Sequence, residues 1–204
     1  GFIYKGEYIS EDEVLALFSQ RILEERPGKV VHDLRASKLV KEKIKEEGGE
    51  AVESRVGHTF ISEMIHSDSE IVFAGELSGH YYFPSMGFPW DDGLFAACLM
   101  CDIVDSGEIE RLESYPDYPV SPELRIDCPE DKKQLVIEKV KEEFSDLDMS
   151  DKDGVKIEFE RGWALVRPSN TEEKMSVRCE ADTEDDLDEI LGKVEKVVRE
   201  NCEA

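Results

Sequence analysis

Residues 71–80 of this chain read IVFAGELSGH. The first four are apolar and predict a buried strand, so the polar residues that follow fall on the loop at its end. Two glycines allow that loop to turn sharply and allow a ligand to approach the backbone closely. The loop presents a carboxylate, a hydroxyl and an imidazole, from Glu76, Ser78 and His80.

These three side chains suit a site for a polar ligand. A carboxylate and a hydroxyl can hold sugar hydroxyls, and an imidazole can exchange a proton near neutral pH. On the residues alone, an ordinary polar turn after a strand is the alternative, because most loops carry no functional group.

The composition limits the possible partners. The 204 residues include 49 acidic and 25 basic side chains, for a formal net charge of −24. Such a surface repels nucleic acid and anionic lipid, so we expect neither as a partner. It also repels a phosphorylated sugar at long range. Phosphate binding would therefore require a local concentration of arginine side chains and backbone N–H groups.

Apolar runs and cysteines indicate the compartment. No apolar run approaches the ~20 residues that span a bilayer, so we expect no membrane partner. Five scattered cysteines and no sign of an export signal favour a reducing cytoplasm. Cys98 and Cys101 lie in the apolar segment 94–101, which predicts two small hydrophobic residues of a buried helix rather than a redox or metal pair.

Helix and strand patterns alternate through the first half of the chain. Ser10 and Glu13 form a capping-box pattern that predicts a first helix. Further helices are predicted at residues 39–44, 61–65 and 93–104. Short strands are predicted at residues 30–32, 51–55 and 71–74. This alternation predicts an α/β domain with a mixed sheet.

Polar segments follow each of the three predicted strands. Because ligands collect beyond the carboxyl ends of strands in such sheets, we expect Arg35, His58 and His80 to converge at one edge. The aromatic residues 81–83 are expected to pack mainly in the core beside that edge. Residues 84–90 are predicted to form a loop.

The second half of the chain predicts a smaller domain. A strand at 124–127, a helix opened by Pro129, and three further strands before a closing helix make up the pattern. This order predicts an α+β domain with an antiparallel sheet covered by helices on one face. The acidic segment 107–122 contains three prolines and predicts a linker, so we divide the chain into domains at 10–118 and 119–204.

Residues 167–171, RPSNT, join two strands of the second domain. Arg167 offers a permanently charged, forked donor suited to phosphate oxygens, while Ser169 and Thr171 offer hydroxyls. With exposed backbone N–H groups, such a turn makes an anion-binding nest. An ordinary hairpin turn is the alternative on these five residues alone.

Four segments, in this order, resemble the α-D-phosphohexomutases, the phosphomannomutase/phosphoglucomutase family. They are DLRAS at 33–37, VGHT at 56–59, GELSGH at 75–80 and RPSNT at 167–171. The resemblance implies that the chain corresponds to the last two domains of that family. It also implies a TATA-binding-protein-like fold for the second domain, without DNA binding.

The resemblance also implies roles for the quoted residues. Glu76 and Ser78 would hold sugar hydroxyls. The substrate phosphate would be bound by Arg167, Ser169, Asn170 and Thr171. Catalytic contributions would come from His80, with His58 and Arg35 placing or neutralising phosphate and hydroxyl groups. His32 and His66 match no motif and are expected to be structural or solvated.

Family enzymes interconvert hexose 1-phosphate and hexose 6-phosphate through a phosphoserine and a bisphosphate intermediate, with Mg²⁺ on an Asp-rich loop. Neither that serine nor that loop has a match here, so no metal ligand is expected in this chain. Residues 1–9 would be the tail of a preceding domain. We expect a C-terminal part of a phosphomannomutase/phosphoglucomutase that is inactive alone and whose partners are mannose and glucose phosphates and the missing N-terminal domains.

Three alternatives remain on sequence grounds. The chain could belong to a phosphoglucosamine mutase, although Leu77 and the aromatic residues 81–83 look more like the mannose and glucose enzymes. It could be a non-catalytic sugar-phosphate-binding module that naturally lacks the first half. It could also be an acidic interaction module in which the motifs are remnants.

Overall fold

A hairpin opens the computed structural model, which describes residues 1–169 and 171–203. Strands β1 (Phe2–Tyr4) and β2 (Glu7–Ile9) pair antiparallel. The turn between them uses the positive φ angles of Lys5 and Gly6, 50° and 91°. Phe2, Tyr4 and Ile9 pack on the hydrophobic core of the first of two units, which comprises Gly1–Pro116.

Helices and strands then alternate as predicted. The helices are α1 (Glu11–Glu25), α2 (Lys38–Glu46), α3 (His58–Ser67) and α4 (Gly93–Ser106). The strands are β3 (Lys29–Asp33), β4 (Glu50–Ser54), β5 (Ile71–Gly75), β6 (Tyr81–Phe83) and β7 (Phe88–Asp91). The predicted capping box forms at α1, where the Ser10 hydroxyl and the Glu13 carboxylate each accept the other residue's backbone N–H.

The strands form one mixed sheet in the order β4-β3-β5-β6-β7. The first three are parallel and the last two are antiparallel additions, which confirms the predicted α/β class. Asp33 pairs with Ser54 and His32 pairs with Gly75, so the three parallel strands end at the same edge. The loops that follow them therefore begin side by side.

Both faces of this sheet are covered. On one face Phe18 of α1 packs with Phe73 and Phe83. On the other face Ile61 of α3 packs with Tyr82. All three aromatic residues of β6 are buried, so they pack in the core as expected.

Two local predictions are wrong. Residues 84–90 do not form a plain loop, because a 3₁₀ turn at Pro84–Met86 and strand β7 occupy them. Helix α4 is not buried on all sides, since Cys98 and Cys101 are exposed and Leu94 is 78% exposed. Only the face with Leu99 and Ile103 packs in the core. The apolar composition of the helix did not indicate which of its faces would stay exposed to solvent.

The second unit begins at Asp117 and is α+β. Its helices are α5 (Lys133–Glu143) and α6 (Glu184–Glu203). Its strands are β8 (Leu124–Asp127), β9 (Asp148–Ser150), β10 (Val155–Phe159), β11 (Gly162–Pro168) and β12 (Lys174–Ala181). They form an antiparallel sheet in the order β8-β12-β11-β10-β9, which confirms the predicted α+β class of this domain. Strand β9 was not predicted, and α5 begins at Lys133 rather than Pro129.

One hydrophobic core joins the helices to this sheet. Val136 of α5 and Val194 of α6 belong to the same buried cluster as Val166 and Val177. Because strand side chains alternate between faces, the neighbours of Val166 and Val177 point to the opposite face. Among the described residues, no helix is long and apolar enough to span a bilayer.

Candidate functional site

The first polar segment is organised by Asp33, a buried residue at the end of β3. Its carboxylate accepts hydrogen bonds from Arg35 Nη2 at 2.8 Å and from the Arg35 backbone N–H at 2.8 Å. It also accepts from the backbone N–H of Leu77 at 3.0 Å. Burial by itself would raise the pKa of the Asp33 carboxyl, but Arg35 and these N–H groups outweigh it and hold that pKa below its ordinary value.

The second segment meets the third through Glu76. The Oε1 atom of Glu76 accepts a hydrogen bond from the backbone N–H of Gly57 at 2.9 Å. Gly57 immediately precedes α3 and has a φ of 132°, a conformation that favours glycine. The loop from 75 to 80 is closed by a backbone hydrogen bond from the Glu76 N–H to the His80 carbonyl.

Glu76 is only 2% exposed, which the loop position did not predict. Its second carboxylate oxygen, Oε2, is buried and has no hydrogen-bond partner among the described residues. A buried carboxylate oxygen without a donor is costly, so such an atom marks a place where a ligand hydroxyl would be favourable. Ser78, two residues later, is exposed to solvent.

His58 and His80 come together at this edge of the sheet. Their ring centroids are 6.1 Å apart, and His58 is the first residue of α3. The Nδ1 atom of His80 lies 2.5 Å from Asp91 Oδ2, and the other oxygen of Asp91 accepts the Tyr81 N–H at 3.2 Å. Asp91 thus orients the His80 ring. The N-cap of α4 is the next residue, Asp92, whose side chain accepts the Phe95 N–H at 2.8 Å.

The remaining histidines lie away from this cluster. The Nδ1 atom of buried His32 is 3.0 Å from the Asp33 carbonyl, and that of exposed His66 is 2.6 Å from the Ser62 carbonyl. His32 is therefore a structural residue and His66 a solvated one. The sheet edge brings together Arg35, His58, Glu76 and His80 as predicted, through contacts that involve Asp33, Gly57 and Asp91.

The turn after β11 belongs to the second unit. Arg167 is the penultimate residue of that strand, and its Nε atom lies 2.9 Å from Asp153 Oδ2. The Ser169 hydroxyl oxygen accepts the backbone N–H groups of Thr171 and Glu172, at 3.4 and 3.2 Å. The predicted anion-binding turn would leave such N–H groups free. In the structure these two N–H groups already donate to the Ser169 hydroxyl. Asn170, also predicted to bind phosphate, lies outside the described residues.

Lys133, which was not predicted from the sequence, donates hydrogen bonds to the backbone of this turn. Its side chain is only 4% exposed, although lysine is rarely buried. The Nζ atom donates to the carbonyls of Ser169 and Glu172 at 2.7 and 2.8 Å and forms an ion pair with Glu130. Both bonds pull backbone carbonyls toward the interior of the unit.

A cleft of about 270 Å³ opens beside the turn. Its walls include Arg167, Ser169 and Thr171, all of which the sequence predicted. They also include two basic residues that it did not predict, Arg125 and Lys174. Three cations, Arg125, Arg167 and Lys174, thus line this cleft together with one acidic residue, Glu123.

The resemblance implies a metal ion that is bound by residues elsewhere in full-length family members. In the part of the chain that the structure describes, no group of three or more His, Cys, Asp or Glu side chains is arranged to hold a metal ion. The acidic run at residues 184–186 forms the first turn of α6, where negative charge is favoured by the helix dipole.

Both units match descriptions of known domains. Residues 10–117 match the family model "Phosphoglucomutase/phosphomannomutase, alpha/beta/alpha domain III". Residues 123–197 match "Phosphoglucomutase/phosphomannomutase, C-terminal domain". The fold and its polar edge thus have the form of sugar-phosphate mutase domains. The chain belongs to the phosphoglucomutase/phosphomannomutase family.

Several curated relatives are similar over almost the whole chain. A phosphoglucomutase from Neisseria gonorrhoeae is 36% identical over 203 residues, and a probable phosphoglucosamine mutase from Methanopyrus kandleri is 36% identical over 202. A phosphomannomutase from Methanocaldococcus jannaschii is 35% identical over 198 residues. The matches cover 95–96% of this chain, which spans only 43–44% of the length of these relatives.

Solved structures support the fold. A phosphoglucomutase/phosphomannomutase family protein from Burkholderia thailandensis has a TM-score of 0.83 at 24% identity, with 96% of this chain and 43% of that protein covered. The N-acetylphosphoglucosamine mutase of Aspergillus fumigatus, in complex with GlcNAc-6P and magnesium, has a TM-score of 0.64 at 15% identity. That match covers 93% of this chain and 47% of the fungal one.

Proposed function

We propose that this chain supplies the substrate-recognition domains of a phosphohexomutase, which interconverts hexose 1-phosphates and hexose 6-phosphates. Family membership supports the class of reaction, since the relatives are mutases of glucose, mannose and glucosamine phosphates. One observation carries the proposal for the site. The segments 33–37, 56–59 and 75–80 are joined by hydrogen bonds and a ring contact at a single sheet edge.

Within that edge, Glu76 and Ser78 are proposed to bind sugar hydroxyls. No donor to Glu76 Oε2 is found in the described part of the chain, and a sugar hydroxyl that reached this atom would supply one. Ser78 is exposed at the turn of the same loop and offers both a donor and an acceptor. We infer that substrate binding must open the cover over Glu76, because its carboxylate is buried before a ligand arrives.

The charged groups at the edge are proposed to serve the reacting end of the substrate. His80 is a candidate acid/base group, because its Nδ1 atom is paired with Asp91 and its ring lies beside His58. Arg35 is held in place by the fully buried Asp33, so its guanidinium is positioned to neutralise phosphate or hydroxyl charge.

The turn after β11 is proposed to bind the phosphate that does not react. Its candidates are Arg167, Ser169, Asn170 and Thr171. A dianionic phosphate could replace the Ser169 hydroxyl as the acceptor for the Thr171 and Glu172 N–H groups. Lys133 would keep the turn in the geometry that presents those donors.

Chemistry itself is proposed to require residues outside this chain. The chain spans less than half of its mutase relatives, and the described residues include no metal-binding cluster. Mg²⁺ would be held by residues elsewhere in the polypeptide, and the phosphoryl carrier would lie there too. We therefore propose that this chain binds hexose phosphates and does not convert them by itself.

A labelled-protein titration tests this proposal. The ¹⁵N-labelled chain is titrated with mannose 1-phosphate and glucose 1-phosphate, with free mannose and sodium sulfate as matched controls. We expect amide shifts at residues 75–80 and 167–176 with the sugar phosphates. Absence of saturable shifts at both segments would overturn the proposal, and turnover of either sugar phosphate by the chain alone would overturn the predicted inactivity.

The preferred sugar has a second candidate. The probable phosphoglucosamine mutase from Methanopyrus kandleri is as similar to this chain as the Neisseria phosphoglucomutase, at 36% identity each. Glucosamine phosphate is therefore included in the titration. Tighter binding of glucosamine 1-phosphate than of the mannose and glucose compounds would favour that alternative.

We also propose a reducing, cytoplasmic location. All five cysteines are free thiols, and Cys98 and Cys101 are exposed three positions apart on one helix. Exposed neighbouring thiols persist in a reducing compartment. Mass spectrometry of protein isolated in the presence of an alkylating agent would show both thiols alkylated, and a disulfide between them would contradict this proposal.

A further inference from the structure

The face of the second sheet opposite its helices carries a row of cations beside the edge strand β8, whereas Trp163 and Leu165 farther along that face are buried. In the antiparallel register, Ser176 of β12 pairs with Arg167 on one side and Arg125 on the other. Directly paired residues of neighbouring strands share a face, and residues two apart on one strand share it too. Lys174 therefore lies on the same face, one position from the turn. The buried Met175 and Val177 face the helices.

The spacing of this row suits one phosphate group. Neighbouring strands are about 4.8 Å apart, so the two arginines start about 10 Å from each other, on either side of Ser176. Arginine side chains can converge from that separation on a single tetrahedral anion. The cleft of about 270 Å³ that these residues line ends at Ser169 and Thr171 of the turn.

Lys174 and Arg125 each form an ion pair with an exposed carboxylate in the structure. Lys174 Nζ lies 2.9 Å from Asp127 Oδ1, and Asp127 is 90% exposed. Arg125 pairs with Glu172, and both of those side chains are also largely exposed. Exposed ion pairs contribute little stability, because both charges stay hydrated and are screened. A ligand can therefore take the place of either carboxylate at small cost.

We propose that Arg125 and Lys174 bind the substrate phosphate together with Arg167. The ligand class is a phosphate monoester dianion, and each cation exchanges its carboxylate partner for a phosphate oxygen on binding. The inference rests on the proposed function of the turn and extends it to two residues on the adjoining strands.

If phosphate replaces the carboxylate in each ion pair, loss of the cation should weaken phosphate binding and loss of the carboxylate should strengthen it. Arg125→Gln and Lys174→Gln each weaken binding of glucose 1-phosphate about three- to tenfold. Asp127→Asn and Glu172→Gln each strengthen it about two- to fivefold, because the competing carboxylate is gone. A purely structural role for these exposed residues would not produce strengthening.

Calorimetry on the full chain tests these values, with glucose 1-phosphate and inorganic phosphate as separate probes. Arg161→Gln is the matched control for loss of a cation, since Arg161 lies at the far end of β11 and pairs with Asp186. Glu189→Gln on α6 is the matched control for loss of a carboxylate. Circular dichroism checks that each variant is folded.

The outcomes separate the inference from the proposed function. If Arg167→Ala weakens binding while Arg125→Gln and Lys174→Gln match Arg161→Gln, the inference is overturned and the function of the turn stands. If inorganic phosphate binds with the expected sign pattern but no hexose phosphate binds better than phosphate, the cation row stands and the sugar specificity fails. If wild type binds neither probe, both are overturned.

Discussion

The carboxylate of Asp33 accepts the backbone N–H of Leu77 at 3.0 Å, across 44 positions of sequence. Asp33 ends β3 and Leu77 follows β5, and these two strands are hydrogen-bonded neighbours in the sheet. The same carboxylate binds the guanidinium of Arg35. One buried charge therefore fixes the loop with Glu76 relative to the arginine that is proposed to act beside it.

Replacement of Asp33 by asparagine should loosen this junction. Asp33→Asn keeps the size of the side chain but loses its charge and one acceptor, while Arg35 and Leu77 still need partners. We expect a loss of about 1.5–3 kcal/mol in the free energy of unfolding, the range for hydrogen bonds to a charged group. Urea unfolding measures it. Asp68→Asn is the control, because it also removes an ion pair, with Lys29, but at a partly exposed position, and should change stability less.

The same residue should give a pH dependence with a definite sign. The pKa of the Asp33 carboxyl is lower in the folded chain than in the unfolded chain, where it is about 3.9. The unfolded state therefore binds more protons as the pH falls below about 4, and the stability that Asp33 contributes is lost there. The gap in unfolding free energy between wild type and Asp33→Asn should narrow between pH 7 and pH 3. A constant gap over that range would show that folding does not lower the pKa of the Asp33 carboxyl.

Lys133 should be important for the turn that it supports. Lys133→Met keeps the aliphatic length but leaves the carbonyls of Ser169 and Glu172 without their buried donor. We expect a loss of about 2–4 kcal/mol in unfolding free energy and faster amide hydrogen exchange at residues 169–174. Lys139→Met on the same helix, where the lysine is exposed, is the control and should leave exchange at the turn unchanged. Equal exchange rates in the two variants would contradict the role of Lys133.

Much of this architecture could be predicted from local pattern. The strand before each polar segment is a short apolar run, and the rule that ligands gather at strand ends places Arg35, His58 and His80 together. The structure has that convergence, with the His58 and His80 ring centroids 6.1 Å apart. Local pattern was sufficient because the three strands are parallel and end in register.

The parts that were missed depend on contacts between distant residues. Arg125 reaches the cleft only because β8 pairs with β12 in one particular register, and no local motif records that register. The sequence around Lys133 is typical of a charged, exposed helix, but tertiary packing buries this lysine. Cys98 and Cys101 show the reverse case, since an apolar helix segment cannot by itself indicate that one face stays uncovered.

The two glycines of the sugar-binding candidate loop should respond differently to alanine. A Cβ atom at Gly75 would lie 2.3 Å from Leu15 Cδ2 and 3.1 Å from Tyr81 Cδ1, both in the packed core. We expect Gly75→Ala to lower the unfolding free energy by about 1–3 kcal/mol through overpacking. At Gly79 a Cβ meets nothing within 4 Å, and only the φ of 82° opposes it, at about 1–2 kcal/mol.

A second substitution separates these two causes. In the background Leu15→Ala, which removes the atom that the new Cβ would strike, Gly75→Ala should cost less than it does in wild type, whereas the cost of Gly79→Ala should be unchanged. Urea unfolding of wild type, the three single variants and the two double variants gives both coupling energies. If Gly75→Ala costs the same in both backgrounds, the close approach to Leu15 does not explain the glycine.

Arg167 should determine phosphate affinity more than any exposed cation of the cleft. Its side chain is only 16% exposed, and Asp153 holds Nε at 2.9 Å, so the guanidinium is oriented before the ligand arrives. Arg167→Ala should weaken binding of glucose 1-phosphate by about 1.5–3 kcal/mol, the range for a hydrogen bond to a charged group, or about 10- to 150-fold in Kd. Calorimetry on the full chain measures the loss, with Arg161→Ala as the control for a lost positive charge at the other end of β11. A Kd within twofold of wild type in both variants would remove Arg167 from the binding site, because a pre-oriented charged donor cannot be lost from a phosphate contact without a clear change in affinity.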